Sequence, residues 1–254
     1  EHSDNEIVSS KEYFTELTST AFAIALIYVS YSYSGWNAAA YITEEFENPL
    51  KSLPKALIGG TVLVTVLYTL LQYVFLKHVP VNDLAGQLNV GTIATKQMLG
   101  EKAGSFFGLA ISLLLISGIS AMVWVDPRVT SSIAKEHSLW SNFQSQENGI
   151  PKRALWLQFG ISTLLLLTGT FEQIMIYCGI LLTASSLMTV LGVFKLRKQN
   201  QNQQRIGFKS PLFPLFQIVF ILLSVWMIVY ALINNPLESA LGMSNLLIGT
   251  GTYF

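Results

Sequence analysis

Tyr31-Ser32-Tyr33-Ser34-Gly35-Trp36-Asn37 sits inside a run, residues 17–43, with no charged side chain over 27 positions. About 20 residues of helix cross the roughly 30 Å of a bilayer's hydrocarbon. The run is longer than that, and the excess permits tilt or a few unwound residues. Its middle is a cluster of hydroxyls, a glycine and an amide, which does not favour an unbroken lipid-facing helix. Freed backbone groups are tolerated at that depth only where they line a cavity, so an interrupted span points to a transporter binding site. Gly35 can adopt φ > 0 without penalty, and Ser32 and Ser34 can bond freed carbonyls. A break near Ser34-Gly35 would start the inner half at about Trp36. Its N–H groups and positive dipole end suit a carboxylate, and the carbonyls ending the outer half suit an ammonium. An α-amino acid carries both. The competing reading is that these small residues merely pack against a neighbouring helix.

The rest of the chain supports a membrane setting. It has 254 residues, 51% hydrophobic and 12% charged, where soluble domains carry about 25% charged residues. Further charge-free runs cover 56–76, 103–125, 154–171, 173–194, 210–237 and 239–254. The first six runs qualify as spans, 154–171 at the short limit, and the seventh has only 16 residues. Residues 1–16 read as a polar lead and 17–254 as a transmembrane helical domain. The chain starts at Glu1 without a signal-peptide pattern, which we read as part of a longer protein. Lys and Arg set orientation. Eleven of the fifteen fall after the first, third and fifth segments, so that side is expected to be cytoplasmic and the lead external.

Several classes are disfavoured. Net charge is zero, so nothing argues for nucleic acid. Lone Cys178 reads as an inert core residue and permits no intrachain disulfide. No HExxH, GxSxG or P-loop pattern occurs. His2, His78 and His137 are read as loop residues far apart, so neither metal nor cofactor is expected. The first six segments hold no ionisable Asp, Glu, Lys, Arg or His. That argues against a membrane enzyme or a retinal protein, and it leaves exchange, or a proton carrier elsewhere, as the coupling mode. A seven-helix receptor fits the segment count but not the broken first segment. A channel lacks a filter-like repeat or charged ring.

After the first run comes Glu44-Glu45-Phe46-Glu47-Asn48-Pro49, then Leu53-Pro54-Lys55. Pro54 suits the first turn of the next helix. Carboxylates at a helix C-terminus oppose its dipole, which suggests a compensating partner: Glu44 or Glu45 with Arg128, or with a basic residue elsewhere in a longer protein; solvated loop charges are the competing reading. Ser112, Ser117 and Ser120 lie in the third segment, and Thr183, Ser185 and Ser186 in the fifth. Such groups more often bond their own backbone than a ligand. Gly179 can ease a bend or close packing in the fifth segment.

The order Ser34-Gly35-Trp36-Asn37, Glu44-Glu45, Asn48-Pro49 and Leu53-Pro54-Lys55-Ala56 resembles the sixth helix and following loop of amino acid permeases of the amino acid–polyamine–organocation superfamily. The nearest likeness is to L-type amino acid transporters and their bacterial relatives. Pro127-Arg128-Val129, Gly149-Ile150-Pro151-Lys152-Arg153, Phe171-Glu172-Gln173-Ile174 and Asn235-Pro236-Leu237-Glu238-Ser239 continue it through the motif after helix eight and the starts of helices nine, ten and twelve.

The resemblance implies an all-α membrane protein. It would comprise the second five-helix inverted repeat, helix eleven and part of helix twelve of a twelve-helix fold, without the first repeat. It also implies unwound backbone at Ser32, Tyr33, Ser34 and Gly35, an aromatic gate at Tyr31, and site positions at Trp36 and Asn37. Ser34 stands where the family motif has its first glycine. Ser117 and Ser120 are further candidates for touching substrate or ion. The expected activity is exchange or uptake of neutral or broad-range L-amino acids by alternating access in the plasma membrane. An ancillary subunit or homo-oligomer is an open partner. A proton-coupled amine or polyamine permease is the alternative.

Overall fold

The computed structural model describes residues 13–41, 43, 47–144, 149–199, 210 and 212–251. Among these the chain is all-α. Helix α1 (Tyr13–Leu17) leads into the first run, which α2 (Thr20–Ser32) and α3 (Trp36–Tyr41) occupy. Then follow α4 (Pro49–His78), α5 (Val81–Leu84), α6 (Val90–Leu99) and α7 (Glu101–Glu136). A 3₁₀ turn, Ser138–Phe143, precedes α8 (Lys152–Thr168), α9 (Phe171–Gln199), α10 (Leu215–Asn234) and α11 (Pro236–Gly251). Four of them, α4, α7, α9 and α10, are long and apolar enough to cross a membrane.

Local chemistry fixes the ends. The Ser19 hydroxyl accepts from the Phe22 N–H at 3.2 Å and caps α2. Thr170 and Gln173 form a reciprocal capping box at the start of α9, with bonds of 3.0 and 3.3 Å. This places Glu172 in the first helical turn, where the dipole favours a carboxylate. Pro236 opens α11, at the position where a missing N–H costs nothing.

Three expectations about the boundaries are corrected. The helix expected to begin at Pro54 begins at Pro49, with Pro54 inside it. Asn48 caps this earlier start through its carbonyl, which accepts from Lys51 and Ser52. Likewise α7 runs through Pro127 to Glu136, so Asp126 and Arg128 are helical rather than in a loop. His78 is the last residue of α4, its Nδ1 2.8 Å from the Val74 carbonyl, and not a loop residue. A charge-free run measures the apolar slab; a helix can continue well past it.

Two compact units are present. Among the described residues one is Ala56–Asp126; the other combines those within Glu12–Lys55 with those from Pro127 onward. In the first unit, Phe75, Val79 and Ala94 form a small core, with Leu84 and Val90 packed on it. Gln97 donates to Asp83 at 3.1 Å, and Lys96 pairs with Glu101 at 3.0 Å. In the second unit, α2, α9 and α10 meet in a core of Ile27, Ile176, Ile180, Met227 and Ala231. Here α9 and α2 approach closely: a Cβ on Gly179 would stand 2.4 Å from Ile27 Cγ2. α11 joins α9 through Gly242 against Ile180, and Asn245 donates to the Tyr177 hydroxyl.

Candidate functional site

The first run is interrupted where the hydroxyl cluster lies. α2 ends at Ser32, residues 33–35 form a turn, and α3 starts at Trp36. Tyr33 closes α2 at φ −94° and ψ 1°, in the bridge region between helical and extended backbone. Around the turn the bonding tightens from the α pattern to the 3₁₀ pattern. Ser34 N–H donates to Tyr31 O at 3.0 Å, Asn37 N–H to Ser34 O at 3.2 Å, and Ala38 N–H to Gly35 O at 3.3 Å. A short 3₁₀ passage within a helix is a common form of hinge.

Both serines act on the backbone they interrupt. The Ser32 hydroxyl donates to Val29 O and the Ser34 hydroxyl to Tyr31 O, each at 2.7 Å. Both carbonyls also accept a backbone N–H, from Tyr33 and Ser34, so each hydroxyl is a second donor that occupies its own polar group at the end of α2. Ser34, in place of the family's first glycine, thus supplies a hydroxyl where glycine would supply only freedom. Gly35 does not use the left-handed conformation open to it; among the described residues the positive-φ glycines are Gly86 and Gly100. The 3₁₀ bonds and the two hydroxyls turn the chain without it. No atom lies within 4 Å of a Cβ built on Gly35, so the space beside the turn is open.

Of the candidate residues, the structure brings Tyr31 to Asn37 together on this one turn. Tyr31, Ser32, Gly35 and Trp36 are exposed, and Tyr33, Ser34 and Asn37 are half-buried. Ser117 and Ser120 belong to the unit Ala56–Asp126, on an exposed stretch of α7. The Ser120 hydroxyl donates to Ile116 O at 2.8 Å. Ser112 and Thr183 bond their own helices in the same way, to Gly108 O and Gly179 O. Arg128 is an exposed residue of α7. Glu44 and Glu45, its expected partners, lie outside the described residues.

Two neighbours of the turn escaped the sequence reading. Tyr28 and Ile27, one turn before Tyr31, carry the contacts that hold α2 against α9. The Tyr28 hydroxyl donates to Glu172 Oε1 at 3.3 Å, and Ile27 lies over Gly179. The Thr170-x-x-Gln173 capping pattern was the available signal for Glu172, since it fixes that residue in a first helical turn.

These features define an all-α membrane protein whose first charge-free run is an interrupted helix. A family model described as "Amino acid permease" matches residues 2–252, and the chain belongs to that family. It is similar to the "Large neutral amino acids transporter small subunit 2" of Mus musculus, 25% identical over 245 residues, which cover 96% of this chain and 45% of the relative. The "Serine/threonine exchanger SteT" of Bacillus subtilis (strain 168) is 24% identical over 241 residues, covering 92% of this chain and 54% of the relative. The "Asc-type amino acid transporter 1" of Mus musculus is 25% identical over 238 residues, covering 91% and 43%. The chain spans about half the length of the curated relatives it matches.

Proposed function

We propose that this chain is the second half of a secondary transporter that exchanges neutral L-amino acids across the plasma membrane by alternating access. The observation that carries the reading is the interruption at residues 33–35, built from 3₁₀ bonds and two serine hydroxyls within a charge-free run. An interrupted membrane helix exposes main-chain groups to a polar ligand in an otherwise apolar setting. Tyr33, Ser34 and Gly35 supply that backbone; Ser32, expected to be unwound, is instead the last helical residue of α2, and Trp36 and Asn37 flank the turn with Tyr31 covering the substrate as a gate. Ser117 and Ser120 are secondary contacts for substrate or ion.

In this reading the segments correspond to helices six to twelve, with residues 1–16 external. Glu44 or Glu45 pairs with Arg128 on the cytoplasmic side, and charge reversal at both members restores transport lost by either alone. Support for neutral substrates and for exchange comes from the printed names of the relatives, which specify large neutral amino acids and a serine/threonine exchanger. The words "small subunit" support an ancillary partner chain.

The test is counterflow in proteoliposomes holding the full-length protein. Vesicles preloaded with mixed amino acids receive labelled leucine, serine, arginine or glutamate, with and without a proton gradient. Uptake of leucine or serine only against internal amino acid is the expected result. Gradient-driven uptake into empty vesicles overturns exchange, and no movement of any amino acid overturns the substrate class and directs the assay to amines and polyamines.

A further inference from the structure

Resting on the reading of Tyr31–Asn37 as the substrate site, we propose that Glu172 and Tyr28 are positioning residues for it. Through their hydrogen bond, the first turn of α9 sets the rotation of α2 and hence the aim of Tyr31. Three observations converge. Tyr28 and Glu172 are 144 residues apart, yet their side chains meet at 3.3 Å. The Glu172 backbone is held by the Thr170–Gln173 capping box, so the acceptor sits on a fixed turn rather than a loose end. Ile27 is wedged against Gly179 and packed in one core with Ile176, Ile180, Met227 and Ala231, which holds α2 against α9 and α10; the Tyr28 bond adds a directional contact to this apolar packing.

Geometry on α2 carries this to the site. Residues three and four apart share a helix face. Tyr31 is three residues from Tyr28 and four from Ile27, so all three project toward one side. Rotating α2 enough to break the Tyr28 contact swings Tyr31 with it. The turn at 33–35 separates this anchored outer half from α3, so α3 can change direction while α2 stays registered on α9. Tyr177, five residues along α9 from Glu172, bonds Asn245 of α11. α9 is therefore itself tied on a second side, as a reference element should be.

The experiment uses the full-length protein in proteoliposomes, with native cysteines replaced and Tyr31→Cys introduced as a reporter. Labelling by a membrane-impermeant maleimide is timed in four backgrounds: Tyr28→Phe, Glu172→Ala, the two combined, and Glu172→Gln, which keeps an acceptor. We expect each single loss to change the labelling rate at least three-fold, the double variant to match the larger single effect, and Glu172→Gln to stay within two-fold of the parent. Unchanged rates, or effects that multiply in the double variant, overturn the proposal. Counterflow by the same backgrounds carrying native Tyr31 is measured in parallel, with KM expected to rise three- to ten-fold and kcat to move less than two-fold. Absence of counterflow in the parent itself condemns the assigned function, while the labelling rates still decide the positioning role.

Discussion

The unit containing α2, α9, α10 and α11 and the unit Ala56–Asp126 have similar apolar composition but opposite packing. In the first, more than a quarter of α9's apolar window is buried, around Ile27, Ile176, Ile180, Met227 and Ala231. In the second, the apolar windows of α4 and α7 bury nothing, and the core is confined to Phe75, Val79 and Ala94 with the short helices α5 and α6. Apolar surface alone does not bring helices together in lipid, because lipid tails are as apolar as leucine. Small residues that permit close approach, and polar contacts across helices, decide it. α9 has both, in Gly179 and in the Glu172 and Tyr177 contacts. The interrupted first run belongs to this well-packed unit, so the turn at 33–35 follows a firmly packed helix.

The largest effect that would sharpen this contrast is expected from Ile180→Ala. It removes a fully buried side chain from the shared core of α2, α9 and α10. Truncations of this kind cost about 2–5 kcal/mol, and thermal unfolding of the purified full-length protein reads the loss. Next comes Gly179→Ala, where the new methyl would overlap Ile27 Cγ2. Overpacking typically costs about 1–3 kcal/mol. Combining it with Ile27→Ala should recover part of the lost thermal stability, and an additive double loss would break the account of that close approach. Ser34→Ala is smaller, about 0.5–1.5 kcal/mol for a single hydrogen bond; its clearer signature is reduced counterflow, since the Tyr31 carbonyl loses its 2.7 Å donor. The smallest effect is expected from Leu114→Ala, at a position 71% exposed on α7. A shift of less than about 0.5 kcal/mol fits a surface position, and a loss as large as that of Ile180→Ala would show that the two units do not differ as described.

The interruption that forms the candidate site was legible in the sequence. The turn falls on the residues where hydroxyls and glycine interrupt the charge-free run, and α3 begins at the expected Trp36. Phe171 and Pro236 open their helices as their motifs indicate. What could not be read has physical causes. Gly35 is not left-handed because 3₁₀ bonds carry the chain through the turn, an outcome that residue identity permits but does not dictate. Helices α5 and α6 were hidden in the connection between two spans because hydropathy registers membrane segments more strongly than short amphipathic turns. The approach of Ile27 to Gly179 and the bond from Tyr28 to Glu172 join residues some 150 positions apart, and no local pattern announces such a pairing.

The central claim is that the turn at residues 33–35 faces substrate. It is tested most directly by cysteine substitution at each position from Tyr31 to Asn37, with Leu114→Cys as the reference, in the full-length protein reconstituted in liposomes. Labelling rates are compared with and without the amino acid that gives the strongest counterflow. The account predicts at least three-fold slowing at Ser34 and Gly35, and at one or more of Tyr31, Trp36 and Asn37, with no change at Leu114. Equal rates with and without substrate at all seven positions would contradict it.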